Sequence, residues 1–174
     1  MILSDRSIRK ELAQGRIVIE PLDEDCIQPA SVDVRLDREI RTFPPPEDYS
    51  LLDVRTDLDK ITVLQEIPDP HPFVLEPGQF VLASTIETVR IPDDIVARIE
   101  GKSSLGRLGL LVHATAGYVD PGFQGQLTLE LSNVAKARIT LFYRMRIGQL
   151  SFLRLTTPAE RPYGSPELGS KYQG

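Results

Sequence analysis

Cysteine is nearly absent from this 174-residue chain, histidine is scarce, and no long apolar run occurs. Cys26 has no second thiol in its own chain, so no internal disulfide can form and a reducing compartment, the cytoplasm by default, is expected. His71 and His113 together with Cys26 match no ligand spacing for a catalytic zinc, which needs clustered His or Cys donors. No stretch approaches the roughly 18 apolar residues needed to span a bilayer. The start, Met1-Ile2-Leu3-Ser4-Asp5-Arg6, has no basic region ahead of an apolar block, so no secretory leader is expected. A basic excess is missing too. The net charge of −5 argues against tracking a nucleic-acid backbone. Neither a Gly-x-x-x-x-Gly-Lys-Ser/Thr loop nor a Gly-x-Gly-x-x-Gly loop occurs. Hydrolytic chemistry in this chain would rest on carboxylates, amides, hydroxyls and a metal carried by a ligand's own phosphates.

What is present reads as one soluble domain across residues 1–174, long enough to bury a proper core. Ser4 with Asp5 behind it reads as a helix N-cap. Ile8 and Leu12 give that short helix an apolar stripe, and Gly15 is its expected stop. From Ser31 to Ile40 apolar and polar residues alternate with the period of a half-buried strand. Phe43-Pro44-Pro45-Pro46 cannot join a central sheet, and the polar, proline-punctuated stretch to about Pro72 reads as a variable excursion. Glu76-Pro77-Gly78-Gln79 is a turn between Phe73-Val74-Leu75 and a strand over 80–85. Further short β-type runs are expected over 87–91, 95–99, 126–131, 138–142 and 149–155, separated mostly by Gly and Pro. The pattern predicts a mainly β protein: a distorted jelly roll or β-sandwich with one N-terminal helix.

The candidate site lies in two nearby segments. Lys102-Ser103-Ser104-Leu105-Gly106-Arg107 combines cations, hydroxyls and glycine in a turn that suits phosphate oxygens. Over Arg98–Gly109 three cations face Glu100 alone, a local excess in an acidic protein; an ordinary Ser/Gly turn with solvated charges fits the hexapeptide equally well. Downstream stand Thr115-Ala116-Gly117-Tyr118-Val119-Asp120-Pro121-Gly122 and Thr128-Leu129-Glu130. Asp120 heads an Asp-Pro-Gly turn and Glu130 shares the polar face of a strand with Thr128, so alternation alone leaves both as plain surface groups.

Five blocks in order resolve that ambiguity through a resemblance. Gly101–Leu110, with Ile27–Leu36, Thr128–Asn133, Ile147–Leu150 and Arg161-Pro162-Tyr163-Gly164, is similar to the dCTP deaminase family of the trimeric dUTPase superfamily. The likeness covers essentially the whole chain, least over 44–72. It implies a zinc-free hydrolysis in which Glu130 is the acid/base of deamination. It implies also that Asp120 contacts the deoxyribose 3′-hydroxyl region and positions water for phosphate cleavage. By the same resemblance Lys102, Ser103, Ser104, Leu105, Gly106 and Arg107 hold the triphosphate, while Thr128, Leu129, Gln149, Tyr163 and Lys171 contact nucleotide or phosphate. An edge-packing aromatic is the competing role for Tyr163.

Gly117-Tyr118 refines the branch. Deaminases that stop at dUTP tend to carry a His-Arg pair after Thr-Ala, whereas Thr115-Ala116-Gly117-Tyr118-Val119-Asp120 is closer to dUTPases. The implied product is therefore dUMP, a supply for thymidylate synthesis. The alternatives are a deaminase releasing dUTP, and a nucleotide-binding trimer of weak turnover. The resemblance further implies Mg²⁺ bound through the triphosphate, dTTP as an inhibitor, and a homotrimer with sites between subunits; polymeric nucleic acid and membrane are not expected partners. Two departures stand out. Phe142-Tyr143-Arg144-Met145 replaces the usual Pro-Gly turn, and the sequence ends at Gly174, short of the tail that closes over nucleotide in relatives.

Overall fold

The computed structural model describes residues 1–45, 53, 55, 60–113 and 117–170. Ser4 opens helix α1 (Asp5–Ala13) in extended conformation, but its hydroxyl turns toward Ser7 and makes no capping bond to the backbone. Gly15, at φ +64°, ends the helix as expected, donating to the Leu12 carbonyl at 2.9 Å. Ile8 and Glu11 are the buried face.

Twelve strands follow among the described residues: β1 (Val18–Glu20), β2 (Ile27–Gln28), β3 (Ser31–Thr42), β4 (Val63–Glu66), β5 (Phe73–Leu75), β6 (Phe80–Arg90), β7 (Ile95–Gly101), β8 (Leu110–Val112), β9 (Tyr118–Val119), β10 (Gln124–Asn133), β11 (Ile139–Leu141) and β12 (Arg146–Arg154). A four-residue helical turn, α2 (Ser103–Gly106), interrupts them. The main sheet path runs β8-β10-β6-β3-β12-β7-β9, and β5 pairs with β11 apart from it. The strand pairs are antiparallel.

The long strand β3 joins the two layers. Its first half pairs with β12 (Val32 opposite Leu150) and its second half with β6 (Ile40 opposite Ala83), with a register shift between Leu36 and Ile40. A bulged strand that changes partner in this way folds one sheet over another. Apolar side chains from both layers, including Val32, Leu36, Val81, Leu129, Leu150 and Phe152, meet in one core. The jelly-roll expectation holds.

Several details differ from the sequence pattern. The runs at 80–85 and 87–91 form a single strand, β6, because the polar residues where they meet are buried and paired: the Thr85 hydroxyl donates to the Glu87 carbonyl, and the Glu87 carboxylate accepts from Arg35. The excursion contributes β4, which pairs with β3 (Arg41 opposite Leu64), although all four of its residues are exposed. Residues 46–52, 54 and 56–59 of that excursion lie outside the described residues. At 142–145 a turn forms without Pro-Gly: Met145 donates to the Phe142 carbonyl at 3.2 Å and Arg144 takes φ +66°. No helix among the described residues is long and apolar enough to cross a membrane.

Candidate active site

Strand β10 sets the first half of the site. Its residues alternate between core and surface, so Leu127, Leu129 and Leu131 pack inward while Thr128 and Glu130 share the outer face. Leu129 is fully buried, which leaves it only main chain to offer a ligand. Glu130 is half-buried and sits opposite Leu82 of β6.

Asp120 reaches the same place from a clamped turn. Phe123 donates to the Asp120 carbonyl at 3.1 Å across Pro121-Gly122, with Gly122 at φ +89°. That turn is tied on both sides: Gly122 donates to Ile91 at 3.1 Å, and Tyr163 donates to Pro121 at 2.7 Å. Phe123 and Tyr163 pack ring against ring at 5.6 Å. The Asp-Pro-Gly turn thus places an exposed carboxylate, and Tyr163 packs at its edge while lining the cleft.

Glu130, Asp120, Thr128, Tyr118 and Tyr163 together line one cleft of about 360 Å³. Tyr118, Asp120 and Tyr163 continue into an adjoining hollow of about 380 Å³ that adds Arg161. Tyr118 is 65% exposed. The Arg98 guanidinium lies 5.3 Å from its ring centroid. The Gly117 carbonyl accepts from the Ile99 amide at 2.8 Å, and a Cβ there would lie 2.9 Å from the Ile99 oxygen, so this approach of the 117–119 segment to β7 requires glycine.

One lining residue was passed over in the sequence. His113, set aside for want of a zinc pattern, stands at φ +50° just past β8, bonds the Thr128 carbonyl through Nε2 at 2.5 Å, and donates its amide to the Glu130 carbonyl at 3.0 Å. Its Nδ1 is buried with no partner among the described residues. Only its distance in sequence from the carboxylates hid it; the β8–β10 pairing closes that gap.

The other candidate residues line a separate cleft of about 390 Å³, formed by Lys102, Ser103, Ser104, Gly106 and Gln149 among others. The hexapeptide is a helical turn. The Lys102 carbonyl accepts from Leu105 at 3.0 Å and Gly106 at 2.9 Å, and Arg107 donates to Ser103 at 3.1 Å. Ser103, Ser104, Gly106 and Arg107 are exposed, while Leu105 leans on the core. Gly106 is helical, and the left-handed glycine of this segment is Gly109 at φ +91°. The local charge excess is smaller than counting suggests. Arg98 pairs with Glu100 at 3.1 Å and Lys102 with Asp33 at 2.6 Å, so among the described residues Arg107 alone of the three cations carries no ion pair. The two clefts share no lining residue. Lys171, Thr115 and Ala116 lie outside the described residues.

Fold and clefts define a dUTPase-like β protein. A dUTPase of phage phi11 of S. aureus shares the fold alone, with a TM-score of 0.51 at 16% identity over 83% of this chain and 94% of that one. A family model for dCTP deaminase-like proteins matches residues 2–155. The chain belongs to that family. A protein of Mycolicibacterium paratuberculosis named a dUMP-forming dCTP deaminase is 58% identical over all 174 residues, which cover 91% of it. One of Beutenbergia cavernae with the same name is 57% identical, with 90% of it covered. Among solved structures, the 2′-deoxycytidine 5′-triphosphate deaminase of Agrobacterium tumefaciens is similar at 27% identity and a TM-score of 0.68. That match takes in 87% of this chain and 47% of the longer Agrobacterium chain.

Proposed function

We propose that this chain removes the 4-amino group of dCTP by hydrolysis and then releases pyrophosphate, yielding dUMP. The observation that carries it is the meeting of Glu130 and Asp120 in one cleft, beside Thr128 and the aromatic edge of Tyr163, in a chain of the dCTP deaminase-like family.

In the first step the Glu130 carboxylate takes a proton from water and the hydroxide adds to C4 of the pyrimidine. The proton passes to the adjacent ring nitrogen. Glu130 then carries the proton of the new C4 hydroxyl to the amino group, the C4–N bond breaks as the C4 carbonyl forms, and ammonia leaves. Placing Glu130 on a packed strand, with its own carbonyl held by His113, fixes the carboxylate relative to the ring. In the second step Asp120 positions a water against the α-phosphorus, an oxygen–phosphorus bond forms, and pyrophosphate departs. Tyr118 lines the cleft beside Asp120, and it and the preceding Gly117 are the residues assigned to this second activity.

Ser103, Ser104 and Arg107 bind the triphosphate, with Gln149 on the facing strand. Mg²⁺ fits this chemistry as the counter-ion of the triphosphate: the phosphate cleft offers hydroxyls and an amide, and its nearest buried carboxylate, Asp33, is engaged by Lys102 and Arg146. When bound through phosphate oxygens it supplies charge neutralisation at the leaving group. One nucleotide needs both halves of the site, and the partition of these residues over two unshared clefts supports a homotrimer in which neighbouring copies complete each other's site. dTTP, which shares the triphosphate and sugar, is the proposed inhibitor. The free, buried Cys26 fits cytoplasmic residence.

The test is product analysis with dCTP and Mg²⁺, following ammonia, dUTP, dUMP and pyrophosphate together. Matched ammonia and pyrophosphate with little free dUTP is expected. Accumulating dUTP would reduce the activity to deamination, and the absence of any product would overturn the reading.

A further inference from the structure

The phosphate turn depends on a residue that does not line its cleft. Asp33 lies on β3, is 2% exposed, and its Oδ1 is 2.6 Å from the Lys102 ammonium. Its other oxygen is 3.6 Å from Arg146, whose second nitrogen pairs with Asp25. In the sheet Asp33 stands directly opposite Gln149, and Gln149 stands opposite Glu100 near the end of β7. The buried carboxylate therefore sits beside both Lys102 and Gln149.

Lys102 is the residue on which α2 starts. Its carbonyl accepts the amides of Leu105 and Gly106, so its backbone sets where Ser103 and Ser104 point. A lysine side chain free in solvent would give that backbone no fixed direction; pinned to a buried carboxylate, it ties the turn to β3. A buried charge is kept only when paired, and losing one partner is costly for the other.

We propose that Asp33 is a positioning residue for triphosphate binding, acting through Lys102, whose ammonium anchors the phosphate turn. This rests on the reading that the turn at 102–107 takes the triphosphate. The proposal has an opposite sign to simple electrostatics. Removing a carboxylate beside a cation frees positive charge and, by Coulomb attraction alone, tightens a polyanion. Loss of an anchor weakens it, because groups displaced by about 1 Å forfeit roughly tenfold or more.

The experiment is Asp33→Asn in the full chain, with KM and kcat for ammonia release from dCTP and, separately, binding of dUMP, which lacks the β- and γ-phosphates. A KM for dCTP raised roughly tenfold with kcat and dUMP binding little changed is expected. An unchanged or lower KM would overturn the proposal. A general loss of fold would move kcat, dUMP binding and KM together. Should Asp33→Asn not fold, Lys102→Gln is compared with the uncharged pair Asp33→Asn/Lys102→Gln, whose amides can still bond each other. A double variant with a lower KM than Lys102→Gln supports the anchor, and one no better overturns it. A wild-type protein that fails to bind dCTP sinks the functional reading itself, whereas a wild-type enzyme that works with Asp33→Asn unaffected sinks only the role of Asp33.

Discussion

A Cβ added at Gly122 would lie 2.6 Å from the Cβ of Pro162, closer than carbon atoms pack. The same hypothetical carbon meets the Tyr163 backbone at 3.0 and 3.1 Å, and Gly122 holds φ +89°. The Asp120 turn and the 161–164 segment are therefore fitted to each other through one missing side chain. Gly122→Ala should push them apart, costing about 1–3 kcal/mol of stability. Pyrophosphate release from dUTP should fall more than ammonia release from dCTP, because Asp120 rides on the turn and Glu130 does not. Thermal melts and the two product rates check this, and an equal loss in both rates would remove the turn's special role.

Glu130→Gln keeps the shape of β10 and removes the carboxylate proposed to exchange protons. Ammonia release should drop by roughly 100-fold or more, while dCTP binding measured by calorimetry stays near the wild-type value. Near-normal deamination would reject Glu130 as acid/base.

Asp120→Asn is expected to lower pyrophosphate release from dUTP by about 100-fold and to leave ammonia release from dCTP within a few-fold. The variant would then accumulate dUTP from dCTP. A wild-type product ratio would strip Asp120 of its role.

Glu11 links α1 to the sheet and carries an acid dependence. Burial opposes its charge, but the bonds from Arg16 and Arg154 outweigh burial and hold the carboxyl below its ordinary value of 4.5. The sign follows from linkage: a depressed folded value adds stability that is fully present above pH 4.5 and is lost as pH falls through the lower folded value. The melting temperature of the wild type should therefore decline over that acid window more steeply than that of Glu11→Gln. Parallel curves would show that the network contributes nothing to acid stability.

The β character was legible because alternation in Ser31–Ile40 and Gln126–Leu131 reports which side chains meet the core, and Pro77-Gly78 reports a turn by its own torsional limits. The strands over 18–20, 27–28, 110–112 and 118–119 were too short to show a period. Within β3 alternation also misled. It assigns Asp33 to a solvent face, yet Lys102 and Arg146 roof that face and make it interior. The same holds for Glu87 in β6, roofed by Arg35.

What the sequence determined by itself is chemical and local: carboxylates at 120 and 130, hydroxyls and cations at 102–107, and strands wherever apolar residues repeat every second position. Those follow from side-chain chemistry and backbone torsions, which need only near neighbours. The tertiary structure alone decided that Glu130 and Asp120 share a cleft with His113, that the turn at 102–107 opens into another, and that Lys102 is bound to Asp33 across 69 positions of chain. Such facts depend on which strands pair and in what register, and register is set by packing over the whole core at once.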